Sequence, residues 1–157
     1  MLLLFRGDFM NFMNYLLEKG KSDGIIKNVV GGIIVRDNKF LILRRKSDDF
    51  MGGTCELPSG NMEIGEDIPT ALIREVKEES NLDVTSIKYF INSFDYISGS
   101  GKKARQYNFL VDVNDNEIKL TEHDEYKWMS IEEVNNNSSI TDEVKHTLNI
   151  VSYNYFD

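Results

Sequence analysis

The spacing of hydrophobic and polar positions changes several times along the chain, and each change predicts an element. Phe9, Phe12, Met13, Leu16 and Leu17 recur at helical spacing. They predict a short N-terminal amphipathic helix over residues 9–19, with Asp8 as its N-cap. Gly20-Lys21-Ser22-Asp23-Gly24 reads as a linker. The β-branched run Val29 to Arg36, the turn Asp37-Asn38 and the run Lys39 to Arg45 predict a hairpin. A loop over 46–54 follows, and Cys55 to Pro58 predicts a short strand stopped by Pro58 and Gly60. Residues 67–80 give the clearest helix. Asp67 can cap it, Pro69 sits in the first turn, and Ala71, Leu72 and Val76 form an inward stripe. Asn81 suits a left-handed C-terminal cap. Val84 to Ile97 and Lys103 to Val113 predict strands joined through Ser98-Gly99-Ser100-Gly101, and Tyr126 to Met129 predicts one more. Ser130-Ile131-Glu132-Glu133 has capping-box form, and Thr141 to Tyr153 predicts a final helix. The order of elements predicts an α/β fold, a mixed central sheet covered on both faces as an α/β/α sandwich.

Composition narrows the function classes. The 157 residues suit one domain, and 41% apolar with 28% charged residues is the balance of a globular protein. A net charge of −8 argues against duplex nucleic acid as a partner, because neutralising phosphates takes Lys and Arg. Cys55 is the single cysteine, so no intrachain disulfide forms. It reads as a small buried hydrophobe in a reducing compartment. The apolar opening Met1-Leu2-Leu3-Leu4-Phe5 lacks a basic region and stops at Arg6-Gly7-Asp8, which is not the pattern of a signal peptide. No stretch reaches the ~20 apolar residues of a membrane span. These features together predict a soluble cytoplasmic protein that needs no membrane.

Candidate chemistry concentrates between Gly60 and Leu82. At about 100° per residue, Glu75, Glu78 and Glu79 fall on one face of the predicted helix. Carboxylates at that spacing repel one another by a few tenths of a kcal/mol per pair. On spacing alone, an exposed acidic face is the commoner meaning. A hard divalent cation would turn the repulsion into ligation, since carboxylate oxygens are its preferred donors. Two neighbours support the second meaning. Arg74 follows Glu66 by eight residues, so the pair can tie the preceding loop to the helix. The turn Pro58-Ser59-Gly60 can offer a backbone carbonyl as a further oxygen ligand.

Spelled out, the segment runs Gly60, five residues, Glu66, seven residues, Arg74-Glu75-Val76, Lys77, Glu78-Glu79, Ser80, Asn81, Leu82. It resembles the signature of the Nudix hydrolase family (MutT-like pyrophosphohydrolases), with eight of nine restricted positions matching. Asn81 stands where the family has a second Gly, and Ser59 where a Pro-Gly-Gly turn is usual. Cys55 replaces a frequent Trp. If the turn needed positive φ, Ser59 would be strained. The segments Leu41 to Arg45, Gly53 to Gly60 and Glu122 to Ser130 also resemble the family. The resemblance covers residues 28–153, which divides the chain into an N-terminal helical extension with linker (1–27) and a Nudix domain (28–157). It implies a Nudix-type sandwich with a mixed sheet.

The resemblance also implies roles. Glu75 and Glu79 are the leading ligands of Mg2+ or Mn2+, Glu78 a further ligand or the group orienting the attacking water, and the Ser59 carbonyl a backbone ligand. Glu122 is the favoured distant acid, as base or second-metal ligand, over Asp124 and Glu125. Arg44 is the candidate phosphate contact, with Arg45 expected on the other face of its strand. Glu66, Arg74 and Gly60 are structural support. His123 reads as a solvent-facing or hydrogen-bonded histidine rather than a ligand. The implied activity is metal-dependent hydrolysis of a diphosphate linkage in a nucleoside diphosphate derivative. A nucleoside triphosphate, oxidised ones included, leads, and ADP-ribose or a nucleotide sugar is the alternative. A Nudix fold kept only for nucleotide binding is a third reading, disfavoured because every signature carboxylate is present. A structural Ca2+ domain is weaker still, since no EF-hand-type loop occurs. The N-terminal helix either packs in cis or joins two copies into a homodimer.

Overall fold

The computed structural model describes residues 2–157, with side chains from Gly7 onward. Met1 and the side chains of the apolar opening therefore lie outside the described residues. The elements run α1 (Leu2–Ser22), β1 (Lys27–Arg36), β2 (Lys39–Arg45), β3 (Cys55–Glu56), β4 (Ser59–Asn61) and α2 (Ile68–Ser80). They continue with β5 (Val84–Ile97), β6 (Lys103–Val113), β7 (His123–Met129), α3 (Ile131–Asn135) and α4 (Asp142–Tyr155).

The seven strands among the described residues join one mixed sheet. Its main path is β3-β2-β1-β6-β5, with β4 also pairing β1 and β7 also pairing β2. β1 and β6 are parallel, from Lys27 opposite Ala104 to Ile34 opposite Val111, and the other pairs are antiparallel. Alternation along the strands sends side chains to two cores. Val30, Ile34, Leu41, Leu43, Phe109 and Val111 face Leu72 and Val76 of α2 and Met13 of α1. Ile33, Phe40, Ile42 and Leu110 face Val134 of α3 and Val144, Leu148 and Val151 of α4. The sandwich expected from the element order is formed, with α1 and α2 sharing one face.

The β1–β2 hairpin turns at Asp37 (φ 51) and Asn38 (φ 57), residues that tolerate the left-handed region. Ser130 caps α3 in the expected box with Glu133. Several expectations change, and the strand expected from Tyr126 begins at His123. The segment Cys55 to Pro58 yields only the two-residue β3, and a separate β4 begins at Ser59. The helix placed at 9–19 is nearly twice as long in the structure, 21 residues. Asp8 therefore lies within it rather than at its cap, and Gly20, Lys21 and Ser22 are helical rather than linker. The cause is tertiary. Phe9, Met10, Leu16 and Leu17 pack on the sheet around the buried Met13, and the Tyr107 hydroxyl donates to the Leu16 carbonyl at 3.2 Å. That hydroxyl occupies the space a side chain at Gly20 would need. The end of α1 is further held by Asp23, which accepts from Lys19 (2.9 Å) and Arg105 (3.0 Å).

Candidate active site

Helix α2 carries the acidic signature, and its sequence fixes both ends. Asp67 Oδ1 accepts from the Thr70 N–H at 2.8 Å, and Pro69 occupies the first turn. Asn81 takes the left-handed conformation (φ 68), and its N–H donates to the Lys77 carbonyl at 2.9 Å. Ala71, Leu72 and Val76 are fully buried and fix the rotation of the helix. Glu75 and Glu79 consequently turn toward the β3–β4 turn, while Glu78 stays half exposed.

Gly60 is required by space rather than by backbone conformation. The Glu75 carboxyl group occupies the position a Cβ at Gly60 would take. Ser59 is likewise not among the described residues with positive φ, so it carries no left-handed strain. Its N–H donates to Glu79 Oε2 at 2.8 Å.

Arg74 ties the loop before α2 to the helix. Its Nε and Nη2 donate to the two oxygens of Glu66, both at 2.8 Å, and Nη2 also donates to the Asn61 carbonyl at 2.9 Å. Its Nη1 donates to Glu75 Oε1 at 2.8 Å and to Glu78 Oε2 at 3.2 Å. The bond from Arg74, with a second from the Glu63 N–H, holds the Glu66 carboxyl at about 2. The bond that Arg74 donates to Glu66, with the one it donates to Glu75, raises the guanidinium above its ordinary value.

Glu79 is the most perturbed carboxyl of the site. Burial pushes it up to about 9 against the stabilising Ser59 N–H, and Glu56, Glu75 and Glu122 add repulsion. Burial also raises Glu75, opposed by Arg74. Glu122 is brought to this group by its neighbour: Thr121 Oγ1 donates to the Glu78 carbonyl at 3.1 Å. Among the described residues, no three His, Cys, Asp or Glu side chains converge on one point, and Arg74 holds Glu75 and Glu78 instead. Carboxyl groups crowded in this way, with Glu79 deeply buried, are in chemistry the oxygen donors that a hard divalent cation prefers.

A cavity of about 660 Å³ opens beside this cluster, with Arg45, Glu56, Ser59, Gly60, Phe94 and Tyr96 in its wall. The two strand-end arginines part company here. Arg44 turns away and pairs with Asp124 (2.9 Å) and Glu125 (3.2 Å). Arg45 lies on the same face as Leu41 and Leu43, reaches the cavity, and pairs with Glu56 at 3.1 Å. The residue meeting the cavity is thus Arg45, where the sequence favoured Arg44. Asp124 and Glu125 are engaged by Arg44 and do not join the signature carboxylates. His123 is buried and bonded to Glu56 Oε1 at 2.9 Å. Glu56, Arg45 and His123 were given no site role from sequence. A usable signal was present for Glu56, the one charged position between the buried apolar Cys55 and Leu57. Cys55 is buried as expected, and burial raises its thiol.

A family model described as NUDIX domain matches residues 26–148. The chain belongs to the NUDIX family. It is 28% identical over 107 residues to an 8-oxo-dGTP diphosphatase of Buchnera aphidicola, covering 68% of this chain and 79% of that protein. It is 47% identical over 53 residues to an ADP-ribose pyrophosphatase of Methanocaldococcus jannaschii. That shorter match covers 34% of this chain and 31% of the relative, so the chain spans about a third of that protein's length. The crystal structure of a MutT protein from Methanosarcina mazei superposes with a TM-score of 0.73 at 22% identity, covering 82% of this chain and 95% of that one. NUDIX membership matches the signature on α2, and the shared fold matches the mixed sheet with helices on both faces. No described helix is long and apolar enough to cross a membrane.

Proposed function

We propose that this NUDIX protein is a divalent-metal-dependent pyrophosphohydrolase that cleaves a diphosphate linkage in a nucleoside diphosphate derivative. The observation that carries the reading is the buried Glu79 carboxyl, fastened to the Ser59 N–H at the edge of the cavity and crowded by Glu56, Glu75 and Glu122. Glu75, Glu78, Glu79 and the Ser59 carbonyl are the groups that would hold Mg2+ or Mn2+. Such an ion, when bound, neutralises phosphate charge and acidifies water.

The protein's own groups then divide the remaining work. Arg45, at the cavity wall, offers a planar guanidinium to phosphate oxygens. Arg44, committed to Asp124 and Glu125, is the weaker candidate for that contact. Glu122, held beside α2 through Thr121, accepts the proton of the attacking water. Glu66 and Arg74 keep the 61–66 loop against α2, and Gly60 leaves room for the Glu75 carboxyl. No side chain of the site needs to form a covalent intermediate.

A nucleoside triphosphate, in its normal or oxidised form, is the first substrate to test, in keeping with the 8-oxo-dGTP diphosphatase relative. ADP-ribose or a nucleotide sugar is the second, favoured by the 47% identity with the ADP-ribose pyrophosphatase over 53 residues. The test is phosphate or pyrophosphate release from a panel of these compounds with Mg2+ or Mn2+, beside the Glu79→Gln variant. One class is expected to be cleaved, with kcat for the variant lower by about 100-fold or more. Lack of turnover across the panel with both metals, or an equally active Glu79→Gln protein, would overturn the reading.

A further inference from the structure

The strand pairing departs from regularity at one place beside the site. β2 and β7 pair residue for residue from Phe40 opposite Met129 to Arg44 opposite Glu125. The next pair is Arg45 opposite His123, so Asp124 is an extra residue on β7. Such a bulge re-aims the side chains beyond it. Regular pairing would have set Asp124 beside Arg45. The bulge sets His123 there instead, and the imidazole is buried against Glu56.

Glu56 is held twice through the same oxygen. Arg45 Nε lies 3.1 Å from Oε1 and His123 Nε2 lies 2.9 Å from it, while Oε2 has no donor among the described residues. A carboxylate oxygen only accepts, so the imidazole Nε2 carries the proton. The other ring nitrogen agrees. Among the described residues the buried Nδ1 has no hydrogen-bond partner, and a proton there would be an N–H with no acceptor among them. Both nitrogens thus fix one tautomer.

Arg45 cannot serve Glu56 and a phosphate equally. Once its guanidinium turns to the substrate, Glu56 would lose its cation and remain a half-buried carboxylate beside Glu79. From this we infer that His123 is a positioning residue: through the bulge at Asp124, its Nε2–H keeps Glu56 seated in the cavity wall while Arg45 is drawn to phosphate. The inference rests on the proposed pyrophosphohydrolase activity for its kinetic consequences, and on the fold alone for the tautomer.

The experiment has two arms. In the first, long-range 1H–15N correlation spectra of the wild-type protein, without substrate or metal, report which nitrogen of His123 is protonated. An Nε2–H tautomer is expected, and Glu56→Gln must shift that proton. An Nδ1–H tautomer, or a signal indifferent to Glu56→Gln, overturns the inference whether or not a substrate is known. In the second arm, kcat and KM are measured on the substrate found in the nucleotide panel. His123→Phe keeps the bulk and removes the donor, and is expected to lose about 10- to 100-fold in kcat/KM. His123→Gln restores a donor at similar reach and is expected to recover most of that loss. In a Glu56→Gln background, His123→Phe should add almost nothing. Losses that multiply instead, or a Gln variant as impaired as the Phe variant at equal Tm, reject the positioning role. A panel without turnover sinks the proposed activity, and the spectra still decide the tautomer.

Discussion

Gly60 shows how a single position binds fold to chemistry. Its missing side chain is the seat of the Glu75 carboxyl. Gly60→Ala should cost about 1–3 kcal/mol of stability, the usual penalty of overpacking. It should also lower kcat by about 100-fold, because displacing a group by an ångström can cost that much. Denaturant unfolding and turnover of the same variant check both. Glu79 makes a second prediction at this scale. Its carboxyl is raised in the folded protein from an ordinary 4.5 to about 9. A raised acid leaves stability intact below the unfolded value and removes it as pH climbs through the folded one. Without metal, Tm should therefore decline between about pH 4.5 and 9 on this group's account. Added Mg2+ or Mn2+ should restore more Tm at pH 8 than at pH 5, since binding must displace the proton. Thermal scans with and without metal test it, and a metal effect independent of pH would contradict the assignment.

At the level of elements, α2 is the piece whose placement the site depends on. Its caps, inward stripe and terminal Asn were legible because each is a local rule, a side chain acting on backbone within four residues. Asp67→Ala removes the bond to the Thr70 N–H and should cost about 1 kcal/mol, readable as a shift in urea midpoint. The signature was legible for the same reason: fixed spacing on a helix fixes relative direction. Arg45, Glu56 and His123 were not, because they meet across three strands. Their meeting depends on a bulge at Asp124 that no local rule announces. The choice between Arg44 and Arg45 turned on which strand face meets α2, and alternation alone does not say which face that is. The full length of α1 was hidden too. Gly7 and Gly20 weaken its helical pattern, and packing on the sheet overrides them.

For the whole molecule, the order of elements was enough to foresee a covered mixed sheet, and the structure adds where the coverings lie. α3 and α4 close one face, and α1 and α2 close the other. The α1 cover is aromatic as well as aliphatic. Phe9 meets Phe109 edge-on with ring centroids 6.3 Å apart, and Phe12 meets Phe90 at 5.5 Å. Met13 is 2% exposed beneath them. The packed unit is therefore longer than the stretch over which the family model matches. A chain trimmed to begin at residue 26, where the family match starts, would lay bare a greasy strip of Phe90, Tyr107 and Phe109. Such a fragment should melt lower, bind hydrophobic dyes and precipitate on concentration, and light scattering beside the full chain would reveal it. The helix that looks like an appendage in the sequence is, in the folded object, a missing wall whenever it is cut away.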